Sequence, residues 1–215
     1  MIKNNSRSSK ALQGLYLITN DDPFEVLFPK LEEALRAGVA LLQYRRKQVL
    51  PTDQESEALD ILSLCKQYHV PLIINDNIAL AEKLYCGVHL GQSDGSLLDA
   101  RTRLGTDAII GRTCHASLAL ASQAVDDGAS YLAFGAVFPS LTKPHANRVE
   151  LETLSAAVER FTLPICAIGG LTAENVDEVR SAGVNLFAVV GDVLNLPVEK
   201  IAERVNGWRD TLQNV

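Results

Sequence analysis

Eight short, apolar, β-rich runs recur along this chain, at residues 15–19, 40–45, 71–76, 87–91, 109–113, 131–137, 164–169 and 186–191. Between them lie segments whose apolar residues follow helical spacing, as at 25–37, 53–68, 118–126, 151–160, 173–182 and 198–212. The strand runs are continuously hydrophobic instead of strictly alternating, as parallel strands covered by helices require. Several junctions place a glycine where a helix should end and a strand begin: Ala37-Gly38-Val39, Cys86-Gly87-Val88, Asp127-Gly128-Ala129 and Ala182-Gly183-Val184. Eight such units within 215 residues predict an α/β chain folded as a single (β/α)8 TIM barrel with parallel strands. An open doubly wound sheet would more often carry a Gly-rich turn after its first strand, and here that turn reads Asn20-Asp21-Asp22-Pro23. The barrel is expected to occupy residues 14–215, behind a frayed segment at 1–13.

The net charge of −6 argues against broad attraction to nucleic acid or an anionic membrane, so any anion site must be local. The four cysteines lie far apart in sequence and read as reduced thiols instead of a zinc or dithiol motif. The opening MIKNNSRSSK lacks the apolar core of a secretion signal, and no apolar stretch reaches spanning length. A cytoplasmic location is therefore expected.

In a β/α barrel the chemistry sits on the strand-to-helix loops. Read in order, the strand ends supply Arg45 and Lys47, Asn75 and Asp76, Gln92 and Asp94, Thr113 and His115, then Ser140, Thr142 and Lys143, and finally Gly169-Gly170 and Gly191. Period-two alternation sets Arg45 and Lys47 on one side, facing a common anion, and turns Arg46 away; the alternative is a solvated RRK cluster. Asp76 and Asp94 follow neighbouring strands, so their carboxylates can approach one hard cation such as magnesium, unless each merely caps the next helix. Bare glycines at 169–170, leading to a helix expected to start near Thr172, suit a phosphate held by backbone N–H groups. His89, inside GVHLG, reads as a hydrogen-bonded barrel residue more than as a base.

The motifs LYLIT, LLQYRRK, PLIINDN, GVHLGQSD, FGAVFPSLTKP and AIGGLTAENV, in this order, resemble the thiamine-phosphate synthase family from Gly14 to Asn206. That family joins a pyrimidine carried as a diphosphate to a thiazole carried as a monophosphate and releases pyrophosphate. The resemblance implies that Arg45, Lys47, Asn75 and Lys143 hold the diphosphate, that Asp76 and Asp94 bind Mg2+, and that Thr113 lies near the pyrimidine. It further implies that Ser140, Thr142, Gly170 and the backbone at Val190 and Gly191 hold the thiazole phosphate, with Gln43 among the substrate contacts. Lys143, Arg45 and Thr113 are then the catalytic residues of a dissociative reaction in which a pyrimidinylmethyl cation forms and no protein nucleophile is used. The partners expected are the two phosphorylated substrates, with self-association left open.

Two departures from the family pattern stand out. Arg112 precedes Thr113 where a valine is usual, and must find a partner or reach solvent, since an unpaired buried charge costs several kcal/mol. Gly191-Asp192 replaces a usual serine-alanine pair, removing a hydroxyl and bringing a carboxylate near the expected phosphate. Asp192 should weaken that site unless it turns away or meets a cation. Two other readings share the barrel: a thiazole tautomerase-like isomerase, disfavoured by the retained diphosphate-binding set, and a non-catalytic binder of a phosphorylated ligand, suggested only by these departures.

Overall fold

A computed structural model describes residues 12–139 and 148–213. Eight parallel strands close into a barrel in sequence order: β1 (Gly14–Ile18), β2 (Leu41–Tyr44), β3 (Leu72–Asn75), β4 (Gly87–Leu90), β5 (Ile110–His115), β6 (Tyr131–Gly135), β7 (Ile165–Ile168) and β8 (Leu186–Val189). Closure is made by β8 returning to β1, with Gly14 opposite Leu186 and Leu17 opposite Val189. Around the strands run α1 (Phe24–Ala37), α2 (Pro51–Gln67), α3 (Ile78–Leu84), α4 (Leu97–Leu104), α5 (Leu118–Asp126), α6 (Leu151–Arg160), α7 (Val176–Ser181), α8 (Gly191–Leu194) and α9 (Val198–Gln213). The fold is the expected TIM barrel. Most of the segment expected to fray, 1–13, lies outside the described residues.

Strand periodicity divides the apolar residues into two layers. Tyr16, Ile18, Leu41, Ile73 and Tyr131 point into the barrel, while Leu15, Leu17, Leu42, Ile74 and Leu132 face the helices. Trp208 of α9 is completely buried against Phe187 of β8, their ring centroids 6.4 Å apart. Among the described residues no helix is long and apolar enough to cross a membrane.

Gly38, Gly128 and Gly183 adopt the positive φ expected of glycines between helix and strand. Gly87 differs. The left-handed cap of α3 is Tyr85, and Gly87 already lies in β4, where a Cβ would come within 2.5 Å of Ile73 and of the Ile109 carbonyl. That glycine serves close strand packing instead of a turn. Helices α3, α4 and α8 have seven, eight and four residues, too short for apolar periodicity to announce them. Helix α7 starts at Val176, later than Thr172, because the Asn175 side chain accepts from the Thr172 N–H at 2.8 Å and holds 172–175 as a turn.

Candidate active site

The carboxyl ends of β2 and β3 open into a cavity of about 280 Å³ lined by Arg45, Lys47, Asn75, Asp76 and Asn77. Arg45 is held from below: its backbone N–H donates at 2.8 Å to Thr19 Oγ1, a buried hydroxyl just after β1. Arg46 does not turn away from the cavity as the alternation predicts: it lines the same cavity, and it is not solvated. Its guanidinium is buried in a two-pronged pair with Glu57 of α2, at 3.0 and 3.1 Å, and donates to the carbonyls of Asn20 and Asp22 in the β1–α1 loop. Tyr44 also donates to Glu57, at 2.9 Å. One buried arginine thus joins three elements beneath Arg45 and Lys47.

Asp76 has a φ of 62°, a left-handed conformation that costs energy in a residue with a Cβ. Its Oδ2 accepts from Asn75 at 2.6 Å and pairs with Lys47 at 3.3 Å. Neither Asp76 nor Asp94 caps a helix. Asn77 caps α3, accepting from the Leu80 N–H at 2.9 Å, and Ser96 caps α4, accepting from Asp99 at 3.4 Å. Both carboxylates are therefore free of the structural duty that would have explained them. The Asp94 carboxylate folds back over Gly91 so closely that a Cβ there would collide with it.

Arg112 resolves its own difficulty. It donates to the carbonyls of Gly95, at 2.9 Å, and Gln92, at 3.4 Å, and so ties down the β4–α4 loop that carries Asp94. Thr113, the next residue, shares a 2.9 Å hydrogen bond with the side chain of His89, which is a barrel residue as expected. Gln43 is buried and its amide donates to Tyr16 at 2.6 Å. His115 ends β5 exposed, with a φ of 52°.

The second half of the rim lies at β7 and β8. Gly170 has a φ of 63°, and a Cβ there would meet the Pro139 carbonyl at 2.6 Å and Phe138 at 2.8 Å, so the β6 and β7 loops touch backbone to backbone. Asn175 donates to the Gly170 carbonyl at 2.9 Å and fixes this turn. Val190 and Gly191 form the entry to α8. Asp192 turns away from the rim: Arg204 of α9 engages both carboxylate oxygens, at 2.9 Å through Nε, and the Trp208 indole N–H donates at 2.6 Å. Arg204 also holds Glu174, whose carboxyl it pulls down to about 2. Ser140, Thr142 and Lys143 lie outside the described residues.

Sequence reasoning missed Thr19, Glu57 and Gly91, each of which acts through a neighbour instead of facing the cavity. The TIM-end threonine of LYLIT and the second glycine of GVHLG carried the available signal.

The family model of thiamine monophosphate synthase matches residues 15–193. A thiamine-phosphate synthase of Thioalkalivibrio sulfidiphilus is 44% identical over 195 residues, covering 89% of this chain and 92% of that one. A thiamine phosphate pyrophosphorylase structure from Pyrococcus furiosus superposes with a TM-score of 0.82 at 29% identity, over 94% of this chain and 96% of the other. A second such structure, from Bacteroides thetaiotaomicron, shares the fold with a TM-score of 0.67 at 18% identity, over 92% and 96% of the two chains. A match spanning the barrel from β1 to α8, with close identity over nearly the whole chain, means that the chain belongs to the thiamine monophosphate synthase family.

Proposed function

We propose that the chain is a thiamine-phosphate synthase that couples 4-amino-2-methyl-5-hydroxymethylpyrimidine diphosphate to 4-methyl-5-(2-hydroxyethyl)thiazole phosphate, or its carboxylated form, giving thiamine phosphate and pyrophosphate. The observation that carries this reading is the cavity in which Arg45, Lys47 and Asn75 gather around Asp76, on a chain of this family. A planar guanidinium and a compact ammonium together suit a diphosphate.

In the reaction, the bond from the pyrimidine methylene carbon to the diphosphate oxygen breaks, and both electrons leave with the oxygen. The resulting cation is captured by the thiazole nitrogen lone pair, forming the new C–N bond. Arg45 and Lys47, with Lys143 by family resemblance, stabilise the charge that builds on the leaving group, and Asn75 orients it. Thr113 holds the pyrimidine, and Gly170, Val190 and Gly191, with Ser140 and Thr142, hold the thiazole phosphate in line for attack.

Asp76 and Asp94 fit magnesium by donor type. They are hard oxygen donors released from capping, and among the described residues no three acidic, histidine or cysteine side chains form an all-protein cage. Magnesium characteristically takes one or two carboxylates together with substrate phosphates. When bound, Mg2+ supplies charge neutralisation of the diphosphate.

The departures that suggested a mere binder lose their force here, since Asp192 is paired with Arg204 and Arg112 with loop carbonyls. The test supplies both substrates with magnesium and measures pyrophosphate and thiamine phosphate, with a chelator control. Coupling that the chelator abolishes is expected; absence of product with both substrates bound would overturn the reading.

A further inference from the structure

We infer that a hydrogen-bonded chain across the barrel interior, from Gln43 through Tyr16, Tyr131 and His89 to Thr113, holds His89 as its Nε2–H tautomer and thereby holds the Thr113 hydroxyl as a hydrogen-bond donor to the substrate. The inference rests on the reading that Thr113 contacts the pyrimidine, and it adds a direction to that contact and four positioning residues behind it.

The direction follows link by link. The Gln43 amide nitrogen carries only hydrogens, so Tyr16 accepts from it, at 2.6 Å. Among the described residues the Tyr16 hydroxyl has one other partner, the Tyr131 hydroxyl at 2.8 Å, and it donates its own proton there. Tyr131 then gives its proton to His89 Nδ1, also at 2.8 Å. A neutral imidazole with an accepting Nδ1 carries its proton on Nε2, and that N–H faces Thr113 Oγ1 at 2.9 Å. Thr113 therefore receives from below, and among the described residues its own proton has no acceptor, which leaves it for one at the open end of the barrel. An aminopyrimidine offers such an acceptor as a ring nitrogen.

The surroundings are built for this chain. Tyr16 and Tyr131 are buried, and their rings meet edge to face with centroids 5.8 Å apart. His89 stacks on Tyr131 at 5.6 Å. The two can meet because position 111 lacks a side chain: a Cβ at Gly111 would lie 2.5 Å from His89 Nδ1 and closer still to the Tyr131 ring and hydroxyl. Each ring nitrogen of His89 faces a neutral hydroxyl, Tyr131 at Nδ1 and Thr113 at Nε2, inside an apolar barrel that disfavours the imidazolium, so the ring is neutral as the chain requires. A hydroxyl beside an imidazole also invites a nucleophile–base reading. The chain opposes it, because the imidazole nitrogen that faces Thr113 carries a proton and cannot accept one.

Gln43 sets the polarity, so replacing its donor with an acceptor should reverse every link. The test is long-range 1H–15N correlation of the histidine rings in the substrate-free full chain at neutral pH. The expected result is Nε2–H for His89 in the wild type and Nδ1–H in Gln43→Glu. Wild-type His89 found as Nδ1–H or as imidazolium, or unchanged in Gln43→Glu once the 13C shift of the introduced carboxyl shows it ionised, would overturn the inference; a carboxyl that stays protonated still donates, and Tyr131→Phe then decides. Should Gln43→Glu not fold, Tyr131→Phe removes the proton that faces Nδ1, and His89 should then populate both tautomers; a single unchanged tautomer would overturn the inference. In steady-state assays Tyr131→Phe should raise KM for the pyrimidine diphosphate roughly tenfold and leave KM for the thiazole phosphate unchanged, the size of a hydrogen bond of about 1.4 kcal/mol. If the tautomer is as stated but neither KM moves, the placement of Thr113 against the pyrimidine fails and the chain itself stands.

Discussion

Single side chains on this rim act through what their neighbours leave free. Asp94 lies against Gly91 with no room for a Cβ between them, so Gly91→Ala should displace the carboxylate. The magnesium concentration for half-maximal activity should rise about tenfold while the unfolding midpoint barely changes; a titration of activity against magnesium, beside a denaturation curve, checks both. Asp192 presents the opposite case. With its carboxylate shared between Arg204 and Trp208, Asp192→Ala removes charge-assisted hydrogen bonds and should cost about 1.5–3 kcal/mol in unfolding free energy. Because the carboxylate faces α9 and not the rim, KM for the thiazole phosphate should stay within twofold of wild type. A marked fall in that KM would instead mean that Asp192 repels the phosphate.

At the scale of elements, the loops are held by buried polar groups that tie one βα unit to the next. Arg46 is the clearest instance, joining β2, α2 and the β1–α1 loop, with its side chain 3% exposed and that of Glu57 13%. Removing one member of such a pair strands the other, so Arg46→Ala should destabilise the chain by about 3–5 kcal/mol. Urea unfolding measures the loss, and a joint Arg46→Met, Glu57→Leu replacement should recover part of it. Lys30 of α1 plays a similar part on the other flank of the same β1–α1 loop, donating at 2.6 Å to the Leu194 carbonyl at the end of α8 and pairing with Asp22 at 3.3 Å. The boundary errors of sequence reading fall on these same joints. Asn175 delays α7 through a side-chain bond to a backbone N–H, a choice that apolar spacing does not encode.

For the molecule as a whole, the barrel buries all four cysteines between its layers and within its interior. Burial pushes the thiols of Cys65 and Cys114 up to about 12 and that of Cys86 to about 11. A folded-state value above the unfolded one means that the folded chain retains protons the unfolded chain gives up. The associated stability is present in full below the unfolded thiol value of about 8.5 and declines as pH rises toward 11 to 12. Unfolding free energy should therefore fall above pH 9, and less steeply in Cys65→Ala, which denaturant melts across pH 7–10 would show. The same burial predicts that a thiol reagent labels the native chain far more slowly than the unfolded one.

The amino-acid sequence by itself determined the barrel, the order of its strands and the rim positions of Arg45, Lys47, Asn75, Asp76 and Thr113, because strand periodicity and βα alternation are local and repeat eight times. It also carried the family, through six motifs in one order. Only the tertiary structure decided that Asn77 and Ser96 cap where Asp76 and Asp94 were candidates, that Arg112 grips the loop bearing Asp94, and that Asp192 turns to Arg204. It alone revealed the chain from Gln43 to Thr113, whose links join residues 27, 115, 42 and 24 positions apart. Partners so distant in sequence meet only once the sheet has closed, and a hydrogen bond depends on that distance and direction, which no local pattern of residues contains.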